Sequence, residues 1–384
     1  MGGAHRWQKL CQHLSEEHSC HVIAPPPTVP VGEFDRMDRL RGRHKVDGVS
    51  VTRLWTYQPT DNWSGLGRML NYAIFAIHAT LYVMLNFWRY DVVITLIGPH
   101  TTLLPGLVAK LLRRYWIVDI YDFWLDNAVD MGFVAETNPS YRLLSSLERV
   151  SLQRCDHILV LTPTLAQQYR KKYDLEDGRF TPIPFGIDRE LFSPDSASSS
   201  ENRIIYTGKL GHAQAFQPFF EGFARLDSKH ELLVVGFGER REELEQLASE
   251  LEIENKVSFR GAVPREQIPE LVASSTISWV PLETDLQLDY ARPTKFVETM
   301  AVGTPYVASQ LREIEAVTAE SGAGKAVPNN PDAISEAMSS ILEDIELRRE
   351  MEQNGPVFIE AEHDWTVLGS EVENVITTIV NDNT

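Results

Sequence analysis

The chain has 384 residues, 43% of them hydrophobic, and a formal net charge of −18. That length exceeds what one core organises, so two domains are expected, and the negative charge argues against nucleic acid as a partner, since affinity there rests on positive surface. The three cysteines, Cys11, Cys20 and Cys155, are odd in number and lack metal spacing, which argues against a disulfide framework and for a reducing, cytoplasmic setting.

The charge is uneven. Residues 1–185 hold 20 basic and 18 acidic side chains, whereas residues 186–384 hold 16 basic and 36 acidic. The first half is therefore the one suited to approach an anionic surface. With ten lysines against 26 arginines and many carboxylates, the composition resembles proteins of high-salt cytoplasms, and a haloarchaeal source is one expectation. An ordinary acidic protein is the other. No signal-peptide pattern opens the chain.

The chain starts MGGAHRWQKLCQHL, a glycine turn leading into a helix. A doubly wound domain normally places its first strand before such a turn, so that strand is expected to be missing or the start misplaced. Strands are read at 20–26, 49–55, 90–98, 115–124 and 157–163. Arg36, Arg39, Arg41, Arg43 and Lys45 form a basic loop between the first two. Residues 69–88 are apolar nearly all round, flanked by Trp63, Trp88 and Arg89. Twenty such residues just reach across a bilayer, but Asn71, His78 and Asn86 argue against a free transmembrane helix. A helix buried on the sheet and an interfacial contact are the remaining readings.

Residues 192–202, FSPDSASSSEN, are polar and serine-rich and read as a linker. Beyond it the same alternation resumes, with strands at 203–208, 231–238, 256–261, 276–281 and 304–309 and helical stretches such as 239–251 between them. β-branched runs separated by helices predict parallel sheets with helices on both faces. A final helix is read at about 366–380.

The stretch RPTKFVETMAVGTPYVAS, 292–309, carries the clearest chemistry. Pro293 suits a first helical position, and Gly303 with Pro305 ends the helix. Phe296, Val297, Met300 and Ala301 form an apolar stripe, while Lys295 and Glu298 share another face at i and i+3. A helix N-terminus attracts phosphate, Lys295 adds a full charge, and Glu298 offers acceptor oxygens for paired sugar hydroxyls. A diphosphate beside a ribose would use this arrangement. An exposed Lys–Glu pair with no ligand is the plainer alternative.

PTKFVETMAVGTPYVAS resembles the donor-site helix of glycosyltransferase family 4, retaining enzymes of the GT-B fold. In chain order, GGAHRWQKL…HVIAPP resembles the family's opening glycine loop, helix and second strand. PIPFGIDRELFSPD resembles its interdomain segment, with Phe185 where asparagine is usual. IIYTGKLG and VSFRGAVPREQIPELVASSTISWVP resemble the start and the base-binding region of its second domain. The resemblance implies an α/β protein of two Rossmann-like domains facing a cleft: an acceptor-side domain at 1–190, a linker at 191–202, a nucleotide-sugar domain at 203–365, and a C-terminal helix at 366–384 crossing back to the first domain. It further implies that Gly2 and Gly3 let backbone approach the donor phosphate, that Gly208 and Lys209 begin the second domain's phosphate loop, that backbone at Gly261 meets the base, and that Lys295 and Glu298 hold diphosphate and ribose. His100, after the fourth strand, and Asp122 in DIYDFW match positions that carry function in some members, although Ile97 competes with His100 for that register and Asp122 also suits a helix cap.

Two positions depart from the family pattern. Tyr290 stands where a second glutamate is common, eight residues before Glu298, and Ala215 stands where a second basic residue follows Lys209. The chain instead matches a branch with a P-x-K-x-x-E helix through Pro293, Lys295 and Glu298. VGFGER, 235–240, contains G-x-G after a strand but reads as a tight turn rather than a dinucleotide site. The expected function is transfer of a hexosyl or N-acetylhexosaminyl group, with retention, from a nucleotide sugar to a polyprenyl- or dolichyl-linked or glycan acceptor, without cofactor or metal, on the cytoplasmic face of a membrane. A nucleotide-sugar 2-epimerase and a non-catalytic partner subunit are the alternatives.

Overall fold

The computed structural model of the chain describes residues 3–26, 43–58, 65–130, 132, 134–194, 202–227 and 229–381. Two compact units form: Met1–Ile183 with Leu368–Thr384, and Pro184–Val367.

In the first unit, helix α1 (Gly3–Leu14) is followed by β1 (His21–Ala24), β2 (Arg43–Val46) and β3 (Val49–Arg53), which form a sheet in the order β1-β3-β2. β1 runs parallel to β3 and β2 antiparallel to it. Part of the stretch read as a basic loop is thus a strand, with Lys45 exposed on it, while Arg36, Arg39, Arg41 and Trp63 lie outside the described residues. A second, parallel sheet holds β4 (Val92–Ile97), β5 (Tyr115–Ile120), β6 (His157–Val160) and β7 (Phe180–Pro182) in that order. Trp116, Ile117, Val118 and Ile120 of β5 are fully buried, as a central strand covered on both faces requires. Around it lie α2 (Gly65–Asn86), α3 (Leu103–Leu111), α4 (Trp124–Asp130), α5 (Pro139–Arg154) and α6 (Pro163–Tyr173). Helices α5 and α6 start as local chemistry dictates. Asn138 and Thr162 accept hydrogen bonds from Ser140 N and Leu165 N, and Pro139 and Pro163 follow the caps.

Helix α2, read as either buried on the sheet or interfacial, is buried in part. Ala76, Ala79, Val83 and Asn71 are buried, and the helix packs against α3. Ile77, Leu81, Leu85 and Trp88 stand 48–68% exposed. The helix is apolar nearly all round, and among the described residues one row of it stays uncovered. The polar side chains within it are satisfied locally: Asn71 Nδ2 donates to Tyr57 O at 2.6 Å, and His78 Nδ1 lies 2.8 Å from Trp55 O.

The second unit is one parallel sheet of β8 (Arg203–Lys209), β9 (Glu231–Phe237), β10 (Val257–Arg260), β11 (Ile277–Val280), β12 (Tyr306–Ser309) and β13 (Gly324–Val327), ordered β10-β9-β8-β11-β12-β13. β13, GKAV, escaped the sequence reading because it is short and carries a lysine. On one face α7 (Phe216–Ala224) presents Phe216, Phe219, Phe220 and Phe223 at helical spacing to a core shared with α8 (Arg241–Glu250) and α12 (Pro331–Glu343). On the other, α9 (Ile268–Ala273), α10 (Thr294–Ala301), α11 (Arg312–Ser321) and α13 (Ile345–Glu362) cover Ile205, Val280, Tyr306 and Ala308. Helix α14 (Trp365–Asn381) follows, and its residues from Leu368 onward group with the first unit.

The expected linker at 191–202 is revised. Residues 184–194 fold with the second unit, and Phe192, 1% exposed, is part of its core. A phenylalanine among serines outweighs the composition of the segment because burying its ring is worth more than leaving it in water. Residues 195–201 are outside the described set.

Candidate functional site

The chain enters the six-stranded sheet at β8, runs outward to β10, and returns to β11 beside β8. In open α/β sheets this reversal leaves a crevice at the carboxyl ends of the strands. Helix α10 starts after β11, at that end. Pro293 sits one residue ahead of its first turn with extended backbone, and Gly303, at φ +74°, ends it where a Cβ would lie 2.9 Å from Glu352 O.

Lys295, on the first turn of α10, reaches back over β8. Its Nζ donates to Tyr206 Oη at 2.8 Å and lies 4.1 Å from the centre of the same ring. Tyr206 Oη in turn donates to Lys209 O at 2.6 Å. At Gly208 (φ +135°) an added Cβ would lie 3.2 Å from Lys295 Nζ, so Lys295 and Gly208 belong to one site. Burial drives the Lys295 ammonium down to about 7, and Glu298 offsets only part of that. A cation held so near its neutral form gains most from an incoming anion.

Glu298, one turn on, is 8% exposed, contrary to the expectation that it points freely away from the apolar stripe. Its Oε1 lies 2.9 Å from an Arg265 guanidinium nitrogen, and that oxygen receives no hydrogen bond of good geometry. The Arg265 guanidinium is 5.0 Å from the Phe192 ring centre. A buried carboxylate oxygen held by charge alone has capacity for hydroxyl donors.

Just before the helix, Arg292 donates from Nε and a terminal nitrogen to Glu313 Oε1 at 3.1 and 2.5 Å. Its other terminal nitrogen lies 3.2 Å from His363 Nε2, and His363 Nδ1 lies 2.7 Å from Phe185 O. Burial and Arg292 push His363 down to about 3. The neutral ring therefore accepts from Arg292 at Nε2 and donates to the backbone at Nδ1. Phe185 contributes its carbonyl to this chain, which ties the approach to α10 to residues 185–187.

Lys209 is 64% exposed, with Nζ 3.6 Å from Glu239 Oε1. Gly236 and Gly238 serve packing: a Cβ on Gly236 would come within 1.8 Å of Gly208 O, and one on Gly238 within 2.1 Å of Leu210 O. Gly261 is exposed with open space around its Cα. Tyr290 and Ala215 are 5% and 1% exposed and fill interior positions.

The remaining candidates are in the first unit. Gly2 lies outside the described residues. Gly3 opens α1, where a Cβ would come within 2.3 Å of Tyr121 Cε2. His100 is 1% exposed, and its Nε2 is bonded to Glu148, itself fully buried. Burial raises the Glu148 carboxyl, but His100, Lys172 and Tyr173 together outweigh it and hold it below its ordinary range. As placed, His100 is part of an internal network. Asp122 accepts from Asn127 Nδ2 at 2.6 Å, across the start of α4. The sequence reading missed Tyr206, Arg265, Arg292 and His363. Tyr206 sat inside an apolar strand run, and the other three lie far apart in sequence.

Residues 1–186 match the model of a glycosyl transferase 4-like domain, and residues 188–358 that of glycosyl transferases group 1. A D-inositol 3-phosphate glycosyltransferase of Corynebacterium urealyticum is 24% identical over 284 residues, covering 66% of this chain and 64% of that one. The chain spans about half to two thirds of the length of the first curated relatives it matches. Among solved structures, a sucrose-phosphate synthase of Thermosynechococcus elongatus superposes with a TM-score of 0.76 at 19% identity, over 100% of this chain and 94% of that one. Anabaena HepE in complex with UDP superposes with a TM-score of 0.67 at 14% identity, over 94% and 100%. The chain is therefore a glycosyltransferase-family protein of the GT-B fold, made of a glycosyl transferase 4-like domain followed by a glycosyl transferases group 1 domain.

Proposed function

We propose that the chain transfers a hexosyl or N-acetylhexosaminyl group from a nucleotide-diphosphate sugar to an acceptor hydroxyl or phosphate, with retention. The observation that carries this reading is the placement of a half-buried Lys295, turned over β8 onto Tyr206, with a buried Glu298 oxygen that lacks a hydrogen bond, on one short helix at the carboxyl end of β8. Lys295, Lys209 and the α10 N-terminus suit a diphosphate, and Glu298 suits the ribose. The UDP complex of the structural neighbour supports a nucleotide donor of this kind.

The chemistry balances without a protein nucleophile. The bond from sugar C1 to the diphosphate oxygen breaks, and its electron pair leaves with the diphosphate. The acceptor oxygen bonds to C1, and its proton passes to the departing phosphate. The protein's part is to hold the leaving group and stabilise its growing charge. Incubation with UDP- and GDP-sugars tests this: release of UDP or GDP together with a glycosylated product is expected. Interconversion of donors without transfer would favour the epimerase, and no turnover of any donor by the protein alone would favour the non-catalytic subunit.

The acceptor reading rests on the apolar row that runs along α2 into the turn at Phe87–Arg89. Leu81, Leu85 and Trp88 are 48–68% exposed, and Arg89 is exposed beside them. Aromatic and basic side chains favour the membrane interface. We read this face as resting on the cytoplasmic side of a membrane and receiving a polyprenyl- or dolichyl-linked or glycan acceptor, in the assembly of surface polysaccharide or of glycoprotein glycans.

A further inference from the structure

We propose that Arg265 is a positioning residue for ribose recognition, holding the Glu298 carboxylate so that the site prefers a nucleotide with an intact ribose diol over its 2′-deoxy analogue. This rests on the reading of α10 as the donor-binding helix. Among the described residues, Arg265 is the one group within ion-pair distance of Glu298, at 2.9 Å. Lys295 is turned toward Tyr206 instead. Phe296, Val297, Met300 and Ala301 lock the α10 backbone in the core, but the Glu298 side chain has three rotatable bonds of its own, and the Arg265 guanidinium is the charged group that engages its end. Arg265 is itself placed by the Arg265–Gln267 turn and by the Phe192 ring at 5.0 Å. Its contact is ionic and off hydrogen-bond geometry, so the carboxylate keeps acceptor capacity for two hydroxyls while its direction is held. With 37% of its side chain exposed, Arg265 is replaceable without opening the core.

The test compares affinities for UDP, GDP and their 2′-deoxy forms in the wild type, Arg265→Met, Arg265→Lys, Glu298→Gln and the Arg265→Met/Glu298→Gln double variant, with melting curves to verify folding. The wild type should prefer the ribonucleotide roughly tenfold or more, the value of one charge-assisted hydrogen bond. Arg265→Met should lose most of that preference, as Glu298→Gln does, the double variant should lose no more, and Arg265→Lys should recover part. Full preference in Arg265→Met overturns the inference alone. So does an equal loss for both sugar forms that persists in the Glu298→Gln background, which would mean direct contact with base or phosphate. A wild type that binds neither UDP nor GDP overturns the donor-site reading, and the inference with it.

Discussion

Replacing Lys295 by methionine removes a charge whose protonation depends on what fills the site. Burial holds this lysine near 7 instead of its ordinary 10.5, so charging it in the free protein costs about 5 kcal/mol relative to water, to order of magnitude. A diphosphate against Nζ reverses that preference. Above pH 7 the terminal phosphate, with a second pKa of about 6, is already fully ionised, so the proton gained on binding goes to the lysine. Uptake should be about half a proton at pH 7 and approach one near pH 8, and affinity should then fall almost tenfold per pH unit. Isothermal titration of UDP or GDP in buffers of different ionisation enthalpy reads the uptake directly. In Lys295→Met the uptake should vanish and affinity at pH 7 should drop about 10–100-fold, the worth of a charge-assisted contact. Proton uptake that persists in Lys295→Met, or a wild type with none at pH 8, would refute the assignment of Lys295 to the phosphate.

The same depressed lysine costs stability. Between pH 7 and 10.5 the unfolded chain binds the proton that the folded chain sheds, so stability rises with pH there; Lys295→Met should raise the melting temperature at pH 7, with the gain fading toward pH 10. Glu298→Ala should weaken nucleotide binding by about 1.5–3 kcal/mol, and unchanged affinity would remove Glu298 from the site. Because positive groups meet the diphosphate, transfer should persist in excess EDTA; an absolute need for magnesium or manganese would contradict this. With 36 carboxylates in residues 186–384, melting temperature should rise between 0.1 and 1 M salt as the Debye length shrinks from about 10 to about 3 Å, and a flat response would remove the high-salt reading. Flotation with anionic liposomes should carry the protein upward, and Leu81→Glu with Leu85→Glu should abolish this; a wild type that stays at the bottom would end the membrane reading.

Local signals were enough for most elements. Apolar runs bounded by glycine or proline located ten strands within a few residues, and the stripe of Phe296, Val297, Met300 and Ala301 marked the buried side of α10. The α10 helix, its Lys295 and its Glu298 were legible because charge, spacing and helix end lie within ten residues. What composition misjudged were segments whose fate depends on distant partners. Phe192, in a serine-rich stretch, is core because the second unit offers it a place, and α2, apolar nearly all round, keeps a row uncovered among the described residues.

The sequence by itself determined a parallel α/β architecture and the chemical types at the candidate site, since both follow from periodicity and from residues a few positions apart. Only the tertiary structure decided the company those residues keep. Tyr206 under Lys295, Arg265 against Glu298, and the Arg292–His363–Phe185 chain join positions 33 to 178 residues apart. His100, plausible as a reactive group in sequence, is enclosed with Glu148. Burial and charge pairing set what each of these groups can contact, and both are properties of the packed chain.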